Sequence, residues 1–207
     1  HVQARAIDPR ARSIVVIGNG GGGFWQAYRR HVDADPEWAQ RDHPLDDFTR
    51  DVVEREIAGA LHAGEVAISG SVEIGKDLEA GDVRTSGSLR VAGNVTAQDF
   101  SSHGRLAVGG VLKSEDVDIE LNGNSRVGSI EAQDISIRMA SGFIRSRGDL
   151  TVDRVKGQDV DLAGTTASYV EGEDVRIGPH CRIDVVVAKD LMVHESSEVR
   201  ERRTPPA

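Results

Sequence analysis

An acidic residue followed by an apolar one recurs through most of the chain, as Asp82-Val83, Asp99-Phe100, Asp116-Val117, Asp134-Ile135, Asp159-Val160, Asp174-Val175 and Asp190-Leu191. The spacings between successive copies are 17, 17, 18, 25, 15 and 16, and Gly64-Glu65-Val66 forms a weaker first copy, its acid 17 before Asp82. A repeat this short cannot bury an apolar face alone. It must stack on its neighbours, which restricts the chain to a solenoid-like architecture.

The units at 81–97 and 98–114 align over their whole length. Val83, Leu89, Val91 and Val95 in the first correspond to Phe100, Leu106, Val108 and Leu112 in the second. Apolar residues alternate with polar ones over short runs broken by Gly, Asn and Ser, the pattern of strands with one buried face rather than of helices. Three such strands of about four or five residues close one coil, and neighbouring coils pair at a spacing of about 4.8 Å. Roughly seven or eight coils then give a rod about 35–40 Å long. Aromatics make up only 4% of the chain, and five of the eight (Phe24, Trp25, Tyr28, Trp38, Phe48) precede Gly64. A narrow coil filled with Val, Ile, Leu and Ala needs no large rings.

The expected fold is therefore mainly β: a single-stranded β-helix of about 17 residues per coil over 64–200, after a small α/β segment at 1–63 and before a disordered tail at 201–207. The Asp of each unit is expected to bond nearby backbone amides at a turn. The long interval after Asp134 predicts a corner loop at 138–148, since insertions in repeats map to corners. This loop carries Arg138, Arg145 and Arg147 interleaved with Met139, Phe143 and Ile144, and Arg154 and Lys156 follow it. It is the first candidate for contact with a protein partner or an anionic membrane surface. At the far end Leu191, Val193 and Val199 form an apolar set with no helix after it to cover them. Unpaired strand edges of that kind call for a cap or a partner, and these three residues are candidates for self-assembly.

The units at 81–97 and 115–137, with the closing phrase Ile177-Gly178-Pro179-His180-Cys181-Arg182-Ile183, resemble the bactofilin family of polymer-forming bacterial cytoskeletal proteins over 64–200. The resemblance implies a right-handed three-faced β-helix that assembles end to end without nucleotide. Handedness and polymerisation come from that likeness alone.

Before Gly64 the texture changes. Ile14, Val15, Val16 and Ile17 form a β-branched run, followed by a glycine-rich stretch, a helical stretch from Phe24 to about Val32, and a second helix starting at Pro44. On that second helix Leu45, Phe48, Val52, Ile57 and Leu61 share one face. Gly18, Gly20 and Gly23 satisfy the spacing of a phosphate-binding loop between a strand and a helix. A glycine run meets many such patterns by chance, and the second strand ending in an acid about 20 residues on is missing. Residues 14–55 also resemble the opening of cobalamin-processing and related reductase domains, without the rest of that sheet or cysteines for an iron–sulfur cluster. No catalytic residue carries over. The segment is expected to be a cap docked on the solenoid or a domain remnant.

A formal charge of −9, with 25 basic against 34 acidic residues, argues against nucleic acid as a partner. The seven histidines show no metal-binding spacing, and Cys181 is the single cysteine, expected inside as a small hydrophobe. No nucleophile motif is present. No apolar run reaches the roughly 20 residues a spanning helix needs, so the cytoplasm is the expected compartment, with membrane contact through the arginine loop as the alternative. The function expected is a non-catalytic, self-assembling scaffold without cofactor or metal. The alternatives are a cofactor- or nucleotide-binding protein using the glycine loop, and a monomeric solenoid that docks a protein partner.

Overall fold

The computed structural model describes residues 61–140 and 148–205, with the backbone of 14–16. Its strands are β1 (Ile14–Val16), β2 (Leu61–Ile74), β3 (Leu78–Val91), β4 (Val95–Thr96), β5 (Asp99–Lys113), β6 (Asp116–Leu121) and β7 (Ser125–Glu131). They continue with β8 (Asp134–Met139), β9 (Leu150–Lys156), β10 (Asp159–Leu162), β11 (Thr165–Ile177), β12 (Arg182–Val193) and β13 (Glu198–Arg203). Every pairing is parallel, and each links one coil to the next. The result is a β-solenoid of about eight coils, roughly 17 residues apart.

In-register parallel pairing sets equivalent side chains directly above one another, so the sequence repeat becomes a set of interior columns. One column reads Val66, Val83, Phe100, Val117, Ile135, Val160, Val175 and Leu191. A second runs Ile74, Val91, Val108, Val127, Val152, Ala167, Ile183 and Val199, and a third Leu78, Val95, Leu112, Ile130, Val155, Val170 and Val186. All seven members of the third column are at most 1% exposed. Removing such branched aliphatic side chains from water contributes about 1.5–3 kcal/mol each.

Corners are tight. Gly87 and Gly104 stack at one of them with φ of 133° and 144°, and a Cβ on Gly104 would lie 2.0 Å from the Gly87 carbonyl oxygen. Only glycine fits a backbone held in that region against its neighbour. Other corners are fixed by side chains. Asp77 Oδ1 accepts from Asn94 N at 2.7 Å, and Asn94 Oδ1 accepts from Val111 N at 2.9 Å.

Several boundaries differ from expectation. The solenoid begins at Leu61 rather than 64, so Leu61 is the first residue of a strand and not the last of a helix. It runs to Arg203, so residues 201–203, expected in a disordered tail, are strand. Arg138 and Met139, assigned to a corner loop, belong to β8, because Asp134-Ile135-Ser136-Ile137-Arg138-Met139 repeats the alternation of Asp116-Val117-Asp118-Ile119-Glu120-Leu121 one coil earlier. The run Ile14–Val16 is a strand as read, and it lies in register on Val66, Ala67 and Ile68 of the first coil. The expected helices, apart from Leu61, lie outside the described residues.

Candidate functional site

The first sheet face presents an acidic ladder to water. Asp82, Asp99, Asp116, Asp134, Asp159, Asp174 and Asp190 occupy equivalent positions in successive coils, above Glu65. All but the half-buried Asp82 are exposed. The carboxylates meet each other rather than serving as turn-forming acceptors, which corrects the role expected of them. Hydrogen bonding with Asp82, then loss of water and the charges of Asp82 and Asp116, raise the pKa of Asp99 above the ordinary carboxylate range. Partial removal from water, then the charges of Asp159 and Asp116, does the same to Asp134. Parallel register leaves no alternative: a residue type repeated every coil is stacked on itself at about 4.8 Å. Arg84 relieves one end, 3.0 Å from Glu65 and 3.9 Å from Asp82. The middle of the ladder borders a shallow depression of about 380 Å³ lined by Asp116, Asp134, Asp159, Asp174, Arg138 and Arg176, among others.

Of the basic residues expected at the recognition loop, the structure describes Arg138, Arg154 and Lys156. Arg138 stands on β8 with its guanidinium on both carboxylate oxygens of Asp118, at 2.7 and 2.6 Å. Arg154 lies over the Tyr169 ring, 4.6 Å from its centroid, and Lys156 pairs with Glu171 at 3.3 Å. Phe143, Arg145 and Arg147 lie outside the described residues, as do Gly18, Gly20 and Gly23.

Cys181 is 4% exposed, with Sγ 3.3 Å from Leu162 O, and burial pushes its thiol pKa up. It follows His180, a turn residue with φ of 60°, so turn geometry rather than strand alternation sends the two side chains apart.

The C-terminal end of the solenoid is open among the described residues. Strand β13 pairs with β12 on one side and ends the strand order. The last part of β12 pairs with β11 through Asp174↔Asp190 to Ile177↔Val193 and has no described strand on its other edge. There Leu191 and Val193 remain half-buried at the tops of their columns, and Met192, 68% exposed, stands between them. Val199 is likewise half-buried on Ile183. The three apolar residues singled out from sequence thus converge on one end.

Sequence reasoning missed Arg202. It follows Val170 and Val186 in the third interior column, so an arginine ends a run of seven buried aliphatic residues. Arg202 is exposed, whereas its register partner Val186 one coil earlier is fully buried. The signal was present in the sequence, where Val170, Val186 and Arg202 are evenly spaced. Around it, Arg200 Nη1 bonds Asp184 at 2.8 Å, Arg182 faces Glu198 at 3.7 Å, and Arg203 grips both oxygens of Glu201 at 2.8 and 3.0 Å. That grip holds the Glu201 carboxyl below its ordinary pKa.

Among the described residues no helix is long and apolar enough to cross a membrane. No protein-family model matches the chain, and no solved structure matches it. One stretch of 63 residues is 40% identical to an uncharacterized protein, YhbF, of Bacillus subtilis (strain 168), and it spans 30% of this chain and 27% of that protein.

Proposed function

We propose that this chain is a non-catalytic structural scaffold, similar to the bactofilins, that self-associates through the open end of its solenoid. The observation that carries this reading is the C-terminal edge. Strand backbone without a partner among the described residues and the half-buried Leu191, Val193 and Val199 meet there, and both kinds of group gain by contact with another strand. A rod whose coils stack by parallel strand pairing suits such a role, because a strand added at the end extends a ladder already made inside.

Sedimentation velocity and electron microscopy of the purified chain test the proposal. Concentration-dependent oligomers or filaments are expected at micromolar protein, and Leu191→Asp with Val193→Asp should reduce them. A single monomeric species at every concentration overturns it.

A further inference from the structure

Stacked coils usually give a basic side chain an acid in the coil next to it. Arg138 sits on Asp118, Lys189 on Glu173 and Arg200 on Asp184. Arg90, Arg105 and Arg126 are different. All three are exposed, and none makes an ion pair or side-chain hydrogen bond among the described residues. Register brings them together on the sheet face that carries Val91, Val108 and Val127 in its interior column. Arg90 and Arg126 stand in one column on either side of Ala107, and Arg105 lies two residues before Ala107 on the strand between them. Alternation with the buried Leu89, Leu106 and Val127 turns all three outward.

The spacing suits a small ligand. Coils about 4.8 Å apart put the Cα atoms of Arg90 and Arg126 about 10 Å apart, with that of Arg105 about 8 Å from each. Arg105 extends toward the coil that bears Arg126: a Cβ on Gly123, in that coil, would lie 2.8 Å from Arg105 Nε. The floor between the arginines is small and neutral, made by Ala107, Gly109 and Gly128. Acids of the same face stand outside the group. Glu73 precedes Arg90 by one coil without forming an ion pair with it, and Asp149 and Asp153 belong to the coil after Arg126. A chain with a net charge of −9 thus carries an uncompensated positive patch across three consecutive coils.

We infer that Arg90, Arg105 and Arg126 form a binding site for a terminal phosphate group, one with three free oxygens, as in pyrophosphate or a phosphate monoester. Each guanidinium is a rigid fork of donors that matches phosphate oxygens in pairs. A single carboxylate has one charge and two oxygens, too few for three arginines. A terminal phosphate carries about −1.5 to −2 charges and three acceptor oxygens, one for each arginine. A phosphodiester, in a lipid headgroup or a nucleic acid, offers one charge and two free oxygens and fits less well. The inference goes beyond self-assembly and does not rest on it, since the patch lies on β3, β5 and β7, away from the C-terminal edge.

Isothermal titration calorimetry of the full chain with pyrophosphate, in magnesium-free buffer at about 0.15 M salt, tests the site. Saturable binding at one site per chain is expected. Arg105→Gln and Arg126→Gln should each weaken it about tenfold or more, and Arg126→Lys, which keeps the charge but loses the fork, should weaken it less. Arg182→Gln removes an arginine of the same face that faces Glu198 at 3.7 Å, and should leave binding unchanged. Dimethyl phosphate and phosphatidylglycerol vesicles should bind about tenfold more weakly than pyrophosphate, or not at all. Circular dichroism checks that each variant keeps its strands. The site is overturned if pyrophosphate does not bind, or if Arg105→Gln and Arg126→Gln bind it as the unaltered chain does. Equal weakening by Arg182→Gln, or equal affinity for the diesters, overturns it as well, because a diffuse positive field would then account for the binding.

Discussion

Thr85 and Ser102 offer a measurable test of how the interior is organised. They occupy adjacent coils in the column Ile68, Thr85, Ser102, Ile119, Ile137, Leu162, Ile177, where every other member is aliphatic. Thr85 is 4% and Ser102 1% exposed, and neither hydroxyl oxygen has a hydrogen-bond partner among the described residues. The buried Ser114 hydroxyl, by contrast, lies 2.7 Å from Gln98 O and 2.9 Å from Asp116 O. A buried hydroxyl left unbonded costs about 1–3 kcal/mol. Thr85→Val replaces that oxygen with a methyl of similar size and keeps a β-branched side chain, so rotamer and strand preferences nearly cancel. The expected gain is about 1–2 kcal/mol. Thr85→Ser keeps the hydroxyl and removes the methyl, so it should lose about 1 kcal/mol. Thermal unfolding followed by circular dichroism at one protein concentration reads both, and the valine variant should melt about 2–6 °C higher. A valine variant that melts lower would refute the reasoning, because the hydroxyl would then be bonded in solution.

Three further outcomes follow from the same geometry. Gly104→Ala should destabilise the chain by about 2–5 kcal/mol in denaturant unfolding, because the methyl collides with the Gly87 carbonyl and the backbone sits at a positive φ. Along the acidic ladder, Asp99 and Asp134 bind protons more tightly folded than unfolded, so their contribution to stability is fullest below about pH 4 and falls as pH rises through their raised pKa values. Asp134→Asn should therefore raise the melting temperature at pH 7 more than at pH 4, and added salt should narrow the difference; an equal effect at both values would remove the ladder repulsion. Glu201, held low by Arg203, works in the opposite sense, adding stability above the ordinary carboxylate range that is lost on acidification. Cys181, buried and with its thiol pKa pushed up, should resist a thiol reagent in the native state and react on unfolding. Rapid native labelling would contradict its position.

The coil was legible in the sequence because its cause is local and repetitive. Alternation fixes which face of each short strand turns inward, and a near-constant repeat length fixes where the next copy lands, so Val83, Phe100 and Val117 had to form a column once coils stacked. Leu191, Val193 and Val199 were visible for the same reason, as the last apolar members of their series. What depends on register across the stack needed the tertiary structure. The long interval after Asp134 hid the strand that carries Arg138, and the charged look of residues 201–203 hid the end of the last rung. Stacking is scored on whole coils, so a rung rich in charge is held by the backbone ladder beneath it even where its own side chains favour water. The same rule decided that aspartates repeated for each turn would face one another, and that an arginine would close a column of aliphatic residues at the edge left open.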